Sequence, residues 1–269
     1  MRRHGGAPRL SWRTVIPWAS VIFVAVSRWL AFPASIWDMD EANFALGVID
    51  FDPVHNQPHA PFFPLWVALG KLTNWLVPTL GPSGALRLVS ALASVAILWP
   101  LRSLWSRVLP RSQALAAAAL YLFLPGVWLL SGRAYSEPTA TALLVAAVAA
   151  WLPLRPARSG LAAGSVCLIA ALLVRPQWLP VVLPFVVWRA LRSPDARDRL
   201  VVLGIPLIVG GAAVVVVAHV SGGVGPLWAA LEQHRVLTRF DQVHRAGHSL
   251  RRAEELQTEC HGRQLRTIV

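Results

Sequence analysis

Charge is scarce in this chain. Asp, Glu, Lys and Arg make up 14% of its 269 residues, against about a quarter in soluble domains. With 55% hydrophobic residues and a mean hydropathy of +0.53, that shortage excludes an ordinary soluble domain. It implies a polytopic membrane protein, whose useful unit of length is a span of about 20 residues. Lysine is nearly absent, with Lys71 alone, so arginine carries the net charge of +12. The arginines sit between apolar runs along the chain, which fits membrane topology and argues against a nucleic-acid partner. The last 40 residues, with seven arginines, are a local exception. The two cysteines, Cys167 and Cys260, do not make a disulfide framework, and Cys167 lies in an apolar run, as a small core residue would. Basic residues are missing between Arg28 and Lys71, whereas five of the thirteen acids fall between Asp38 and Asp52.

What is present is a series of apolar runs. They predict an all-α membrane protein of about seven transmembrane helices, over 14–32, 84–101, 113–131, 138–154, 160–174, 177–191 and 200–220. The fifth and sixth are short and are divided by Arg175-Pro176; we read them as two spans rather than one broken segment. The basic amino terminus resembles a signal peptide, but the apolar run from Val15 to Phe32 and the spans beyond it favour an uncleaved first span.

Loop charges orient the series. With the amino terminus in the cytoplasm, thirteen of the eighteen Lys and Arg before residue 221 fall inside, as the positive-inside rule expects. Asp38, Asp40, Glu41, Asp50, Asp52 and Glu137 fall outside, and Arg28, Lys71, Arg87, Arg133 and Arg175 lie on the outer side or at outer span ends. Residues 61–78 are apolar but broken by Pro64, Lys71 and Asn74, and they contain Trp75. We read them as an interfacial helix within an outer loop over 33–83. "DEANFALGVI" is a second interfacial helix, opened by acids as the helix dipole favours. The expected organisation is a transmembrane module over 1–220 with the site in that loop. Residues 221–269 follow as an outer-face juxtamembrane helix from about 227 to 243 and a poorly ordered tail.

The outer loop carries the candidate chemistry. Solvated acids are ordinary in a translocated loop. Here, however, "WDMDEANF" and "FDPVHNQPHAPFFP" interleave acids and histidines with aromatics and prolines, and prolines shape a loop. A carboxylate beside an apolar face suits general-base work because partial desolvation raises its pKa. Asp40 or Glu41 can fill that role, with nearby histidines and arginines holding a phosphate. A divalent cation on the Asp38–Asp40 D-x-D pair is the alternative. "SGRAYSEPTA" adds Arg133 and Glu137 on the same face, and "VRPQW" adds Arg175. Arg87 reads as a snorkelling anchor.

At Asp40-Glu41 and "QPHAPFFPLWVALGKL" the sequence resembles the polytopic glycosyltransferases of the GT-C class. The likeness is closest to the family of protein O-mannosyltransferases and aminoarabinose lipid A transferases. It covers about residues 12–245 as topology; its specific motifs cover 37–72 and, more loosely, 131–138 and 174–178. Ala60 stands where a proline is often found. The resemblance implies inverting sugar transfer from a polyprenyl-phosphate-linked donor to a lipid, glycan or protein acceptor at the outer face of a bacterial inner membrane. It implies Asp40 as catalytic base and Glu41 as its orienting partner. Asp38, His55, His59, Arg133, Glu137 and Arg175 are the candidate substrate-binding residues, of which His59, Arg133 and Arg175 would hold the donor phosphate. Members of the class continue beyond seven spans, whereas this chain ends soon after its seventh. A non-catalytic subunit or truncated remnant is therefore one alternative expectation, and a polytopic transporter or lipid flippase another. The gathering of polar groups at outer span ends weighs against transport.

Overall fold

The computed structural model describes residues 12–33, 35–153, 157–193 and 195–245. The expected disordered tail, Cys260 and most of the basic amino terminus lie outside these residues. Among the described residues the fold is all helix, with no named strand. In order it runs α1 (Trp12–Leu30), α2 (Met39–Ile49), α3 (Pro64–Leu76), α4 (Gly81–Ala96), α5 (Leu98–Trp105), α6 (Arg111–Leu122), α7 (Pro125–Ser131), α8 (Glu137–Trp151), α9 (Arg158–Val174), α10 (Leu179–Arg192), α11 (Ala196–Val220) and α12 (Val224–Arg245).

The expectation of seven spans is not met. Among the described residues two helices are long and apolar enough to cross a membrane, Pro78–Trp105 and Ala196–Val220. At about 1.5 Å per residue, both exceed a hydrocarbon core of about 30 Å. The number rises to four if each of two bent pairs is one span: Arg111–Leu122 with Pro125–Ser131, bent by 69°, and Arg158–Val174 with Pro176–Arg192, bent by 119°. Ala19–Leu30 and Glu137–Trp151 are shorter apolar helices. Every predicted apolar run is therefore helical, but several are interrupted. Proline explains both breaks. Leu124 and Arg175 each precede a proline and adopt extended ψ angles of 132° and 83°, because a following proline disfavours the helical region. Pro125 and Pro176 then open the next helical piece, where a missing N–H costs nothing.

α8 packs along α9, and α9 along α11. Trp151 is fully buried at the first contact and donates its Nε1–H to the Leu161 carbonyl at 3.0 Å. Gly164 makes room for that ring: a Cβ there would lie 2.2 Å from Trp151 Cδ1. A second core joins α1 to the α4–α5 and α6 helices through Val24, Ile97, Leu98, Ala118 and Leu122. Here Arg28 is fully buried. It donates to Ser131 Oγ at 3.0 Å, to Ser27 Oγ and to the Leu122 carbonyl, and lies over the Phe123 ring. It thus bridges α1 to the break between α6 and α7, taking a carbonyl that the helix end leaves free.

A third core, of Phe44, Val48, Phe63, Trp66, Leu86, Ala134, Ala140 and Val174, draws α2, α3, α4, α8 and α9 together beneath the acidic loop. Gly70 permits the approach of α3, since a Cβ there would meet Val48 Cγ2 at 2.5 Å and Leu86 Cδ2 at 2.6 Å.

Candidate functional site

The acidic stretch folds around α2. Asp38 is its N-cap, accepting the Glu41 N–H at 3.0 Å. The D-x-x-E spacing is that of a capping box, except that the Glu41 carboxylate reaches back to Trp37 N–H, at 2.9 Å, one residue further than usual. Asp40 and Glu41 lie about 100° apart around the helix, so adjacent acids meet opposite environments. Glu41 is fully buried. Its second oxygen accepts Ala134 N–H at 3.1 Å, and Arg87 Nη2 stands 3.9 Å away. Arg87, expected as a snorkelling anchor, is instead buried and donates to the carbonyls of Pro33 at 2.6 Å and Ser35 at 2.8 Å. Asp38 and Glu41 thus hold α2 in place, Asp38 from the surface and Glu41 from the core. Asp40 remains open, with its side chain 57% exposed.

His59 faces it, with Nε2 3.8 Å from Asp40 Oδ1. The loop that carries His59 is tightly shaped. Asp52 and Gln57 exchange both backbone hydrogen bonds, Asp52 Oδ1 accepts the N–H groups of Val54 and His55, and Asn56 closes the turn in the left-handed region at φ 61°. The Gln57–Pro58 and Ala60–Pro61 bonds are cis, and Phe62 and Phe63 have φ of 76° and 46°. Bulky residues rarely adopt that region; both rings are buried, and their packing holds the backbone there. Gly47 of α2 lets the loop close down, because a Cβ would sit 2.9 Å from Pro58 Cδ and 3.0 Å from Pro58 N.

The sequence reading missed His234. It comes from α12, which packs on the 3-10 turn Pro53–His55 and on α11. The His234 ring stacks on His59, centroids 5.8 Å apart and planes at 26°. The signal was the spacing of Leu227, Ala230, Leu231 and His234, one helical stripe that places the histidine on the buried face; Ala230 is buried against Ala60, Phe62 and Val217. His59 also meets Phe44 and Phe63, at 5.5 and 5.2 Å. Its Nδ1 is buried without a hydrogen-bond partner. Burial lowers the pKa of His59 below the ordinary histidine value; Asp40 opposes this, while His234 and Arg175 reinforce it. Burial lowers His234 likewise, again against Asp40.

Arg175 closes the far side. Its Nη1 lies 2.8 Å from Glu137 Oε1 and 2.9 Å from Ser136 Oγ. Glu137 Oε2 is buried without a partner, and the residue also lines a cavity of about 260 Å³ with Ser94, Tyr121 and Thr141. Arg133 is 9% exposed and is engaged differently, its guanidinium 3.7 Å from the centroid of the Trp37 ring, which is itself 73% exposed. His55 stays apart, paired with Asp52. Burial would raise the Asp52 pKa, but hydrogen bonds and charge from His55 outweigh it and hold the carboxyl below its ordinary value. No three His, Cys, Asp or Glu among the described residues form a metal-holding group.

Of the sequence candidates, then, Asp40, His59, Arg175 and Glu137 come together, and His234 joins them. Glu41 lies buried beneath them, Asp38 caps α2 at the surface, Arg133 flanks through Trp37, and His55 is separate. An apolar cavity of about 590 Å³ opens beside the cluster, lined by Pro61, Phe62, Leu172, Pro176, Leu207 and Leu231 among others. That volume suits a small-molecule ligand. Its lining includes near neighbours in sequence of the polar groups, Pro61 and Phe62 after His59, Pro176 after Arg175 and Leu231 before His234, but none of Asp40, His59, Arg175 or His234 itself. No protein-family model, curated protein or solved structure matches the chain.

Proposed function

We propose that the chain is a membrane glycosyltransferase of GT-C type that moves a sugar from a polyprenyl-phosphate-linked donor to a lipid, glycan or protein acceptor. The observation that carries this reading is an exposed carboxylate, Asp40, set against His59 and near an apolar cavity lined by residues adjacent in sequence to His59 and Arg175. An amphiphilic donor matches that pairing, with its chain in the cavity and its phosphate at the cluster. Asp40 accepts the proton of an acceptor hydroxyl. The hydroxyl oxygen bonds to the anomeric carbon as the carbon–oxygen bond to phosphate breaks. The bonding pair leaves with the polyprenyl phosphate, and the sugar inverts. Glu41 acts as a positioning residue through α2. On this reading the site faces the outer side of a bacterial inner membrane, with the amino terminus in the cytoplasm and α2 and α3 as interfacial helices in the first outer loop; the scarcity of basic residues between Arg28 and Lys71 supports that orientation.

The test is transfer of label from a polyprenyl-phosphate sugar by the protein reconstituted in vesicles with a membrane-extract acceptor. General-base assistance contributes about 100- to 10,000-fold, so Asp40→Asn should lower transfer by that factor with an unchanged melting temperature. Full activity of Asp40→Asn refutes the base assignment. Absence of transfer by the parent protein, with donor still bound, favours the non-catalytic subunit. The two bent helix pairs favour one further reading, transport, because carriers build their sites from broken helices; donor lipid that changes leaflet without losing its sugar would establish it.

A further inference from the structure

We propose that the end of the molecule farthest from the acidic loop is a docking face for anionic phospholipid, with arginines at the lipid phosphate and exposed Trp and aliphatic side chains beside the acyl chains. The proposal rests on the membrane character of the long helices and not on sugar transfer. Helix directions define that end. Near its close α11 packs Val217 against Ala60 and Phe62, beside His59. Its first residue, Ala196, lies about 32 Å from Val217 at about 1.5 Å per residue. α9 finishes at Val174, beside Arg175, and starts at Arg158. Arg158 reaches Asp195 at 2.8 Å and Asp198 at 3.2 Å, so α9 and α11 start at one level. The turn between α5 and α6 joins them there. Its Arg107 donates at 3.2 Å to the carbonyl of Ala149, in the last turn of α8, whose first residue is Glu137.

Charge complementarity selects the partner. The joint between α10 and α11 holds two carboxylates, Asp195 and Asp198, and Arg158 takes both. Asp195 also caps α11, accepting Arg197 N–H at 3.0 Å. The turn between α5 and α6 holds none, since no Asp or Glu occurs between Asp52 and Glu137. Arg107, Arg111, Arg192 and Arg197 are exposed and pair with no carboxylate among the described residues. Each turn also presents an exposed Trp and an exposed aliphatic residue three positions later, Trp105 with Val108 and Trp188 with Leu191. Trp favours the level of lipid head groups, and a guanidinium fork matches phosphate. Exposed Leu200, Leu203 and Leu207 continue along α11, a helix that the rest of the chain leaves largely uncovered. Head and chains of one amphiphile therefore meet complementary surface side by side. An arginine beside a negative lipid surface is worth about fivefold in affinity, which a zwitterionic lipid does not supply.

The test titrates the full chain in detergent with dioleoyl phosphatidylglycerol and with dioleoyl phosphatidylcholine, which share their acyl chains, and counts bound lipids by native mass spectrometry. Phosphatidylglycerol should bind more tightly, and raising the ammonium acetate concentration should shrink the difference, because salt screens exposed charges. Arg192→Gln and Arg197→Gln should each reduce the preference by about fivefold. Arg192→Lys should retain it. Lys71→Gln removes an exposed charge from α3, at the other end of the molecule, and should leave the preference unchanged. Equal binding of the two lipids by the parent chain overturns the proposal, as does a parental preference in the Arg192→Gln/Arg197→Gln double variant. An equal loss in Lys71→Gln overturns it too, since net charge rather than this face would then set the preference. Displacement of bound phosphatidylglycerol by an equal concentration of glycerol phosphate would assign the arginines to a soluble anion and overturn the lipid. Each of these outcomes leaves the donor reading to its own test.

Discussion

Adjacent acids should have opposite phenotypes. In Glu41→Gln the side chain keeps its size but loses its charge and one acceptor. The Glu41 carboxylate accepts Trp37 N–H at 2.9 Å and Ala134 N–H at 3.1 Å, one from each oxygen, and the second bond joins residues 93 apart in sequence. A glutamine satisfies one of these donors and turns its own NH₂ toward the other. Losing a charge-assisted bond at a fully buried position, with Arg87 3.9 Å away left facing a neutral group, costs about 3 kcal/mol. At about 2–4 °C per kcal/mol for a chain of this size, the melting temperature falls by about 6–12 °C. Thermal unfolding in detergent, followed by near-ultraviolet circular dichroism, reads this directly. Asp40→Asn, at a side chain 57% exposed, should stay within about 0.5 kcal/mol of the parent. A Glu41→Gln protein that melts with the parent, or an Asp40→Asn protein that loses the larger amount, refutes the division of roles between the two acids.

Gly47→Ala should destabilise by about 1–3 kcal/mol, since its Cβ meets Pro58 backbone at 3.0 Å; it should also displace His59 and weaken binding of an alkyl phosphodiester, which calorimetry detects. Gly164→Ala should lower the melting temperature well below that of Gly204→Ala, because the first Cβ strikes the buried Trp151 ring at 2.2 Å and the second meets open space; equal melting would show that Trp151 yields. The pKa values of His59 and His234 are depressed in the folded state, so below about pH 6.5 the unfolded chain binds more protons. The ligand-free protein should hold its stability above that pH and lose it as the pH falls toward the folded values, and His59→Leu should reduce the slope. Rising stability on acidification would contradict the burial of these rings.

Local chemistry was legible in the sequence and long-range assembly was not. The acids at Asp38, Asp40 and Glu41 mark the start of α2, and prolines mark the breaks before Pro125 and Pro176, because caps and proline sterics act within a few residues. The span count failed for the same reason: apolar content locates a segment, but a proline within it changes its direction. The partners of Arg87, Arg133 and Glu137 were beyond reading. Each guanidinium had several acids or rings within plausible range, and packing alone chose among them. His234 was the largest omission. Its stripe on α12 showed a buried face, yet nothing in the stripe revealed that the face would meet a loop near the other end of the chain.

Arg28 bears on how far this molecule can move. A bent transmembrane helix is usually where a carrier flexes. Here the bend between α6 and α7 is bolted from the side by a guanidinium that grips Leu122 on one piece and Ser131 on the other. Straightening or swinging either piece would strip a buried cation of its neutral acceptors. The joint is therefore a fixed angle bracket, and α1, α6 and α7 shift as one body or not at all.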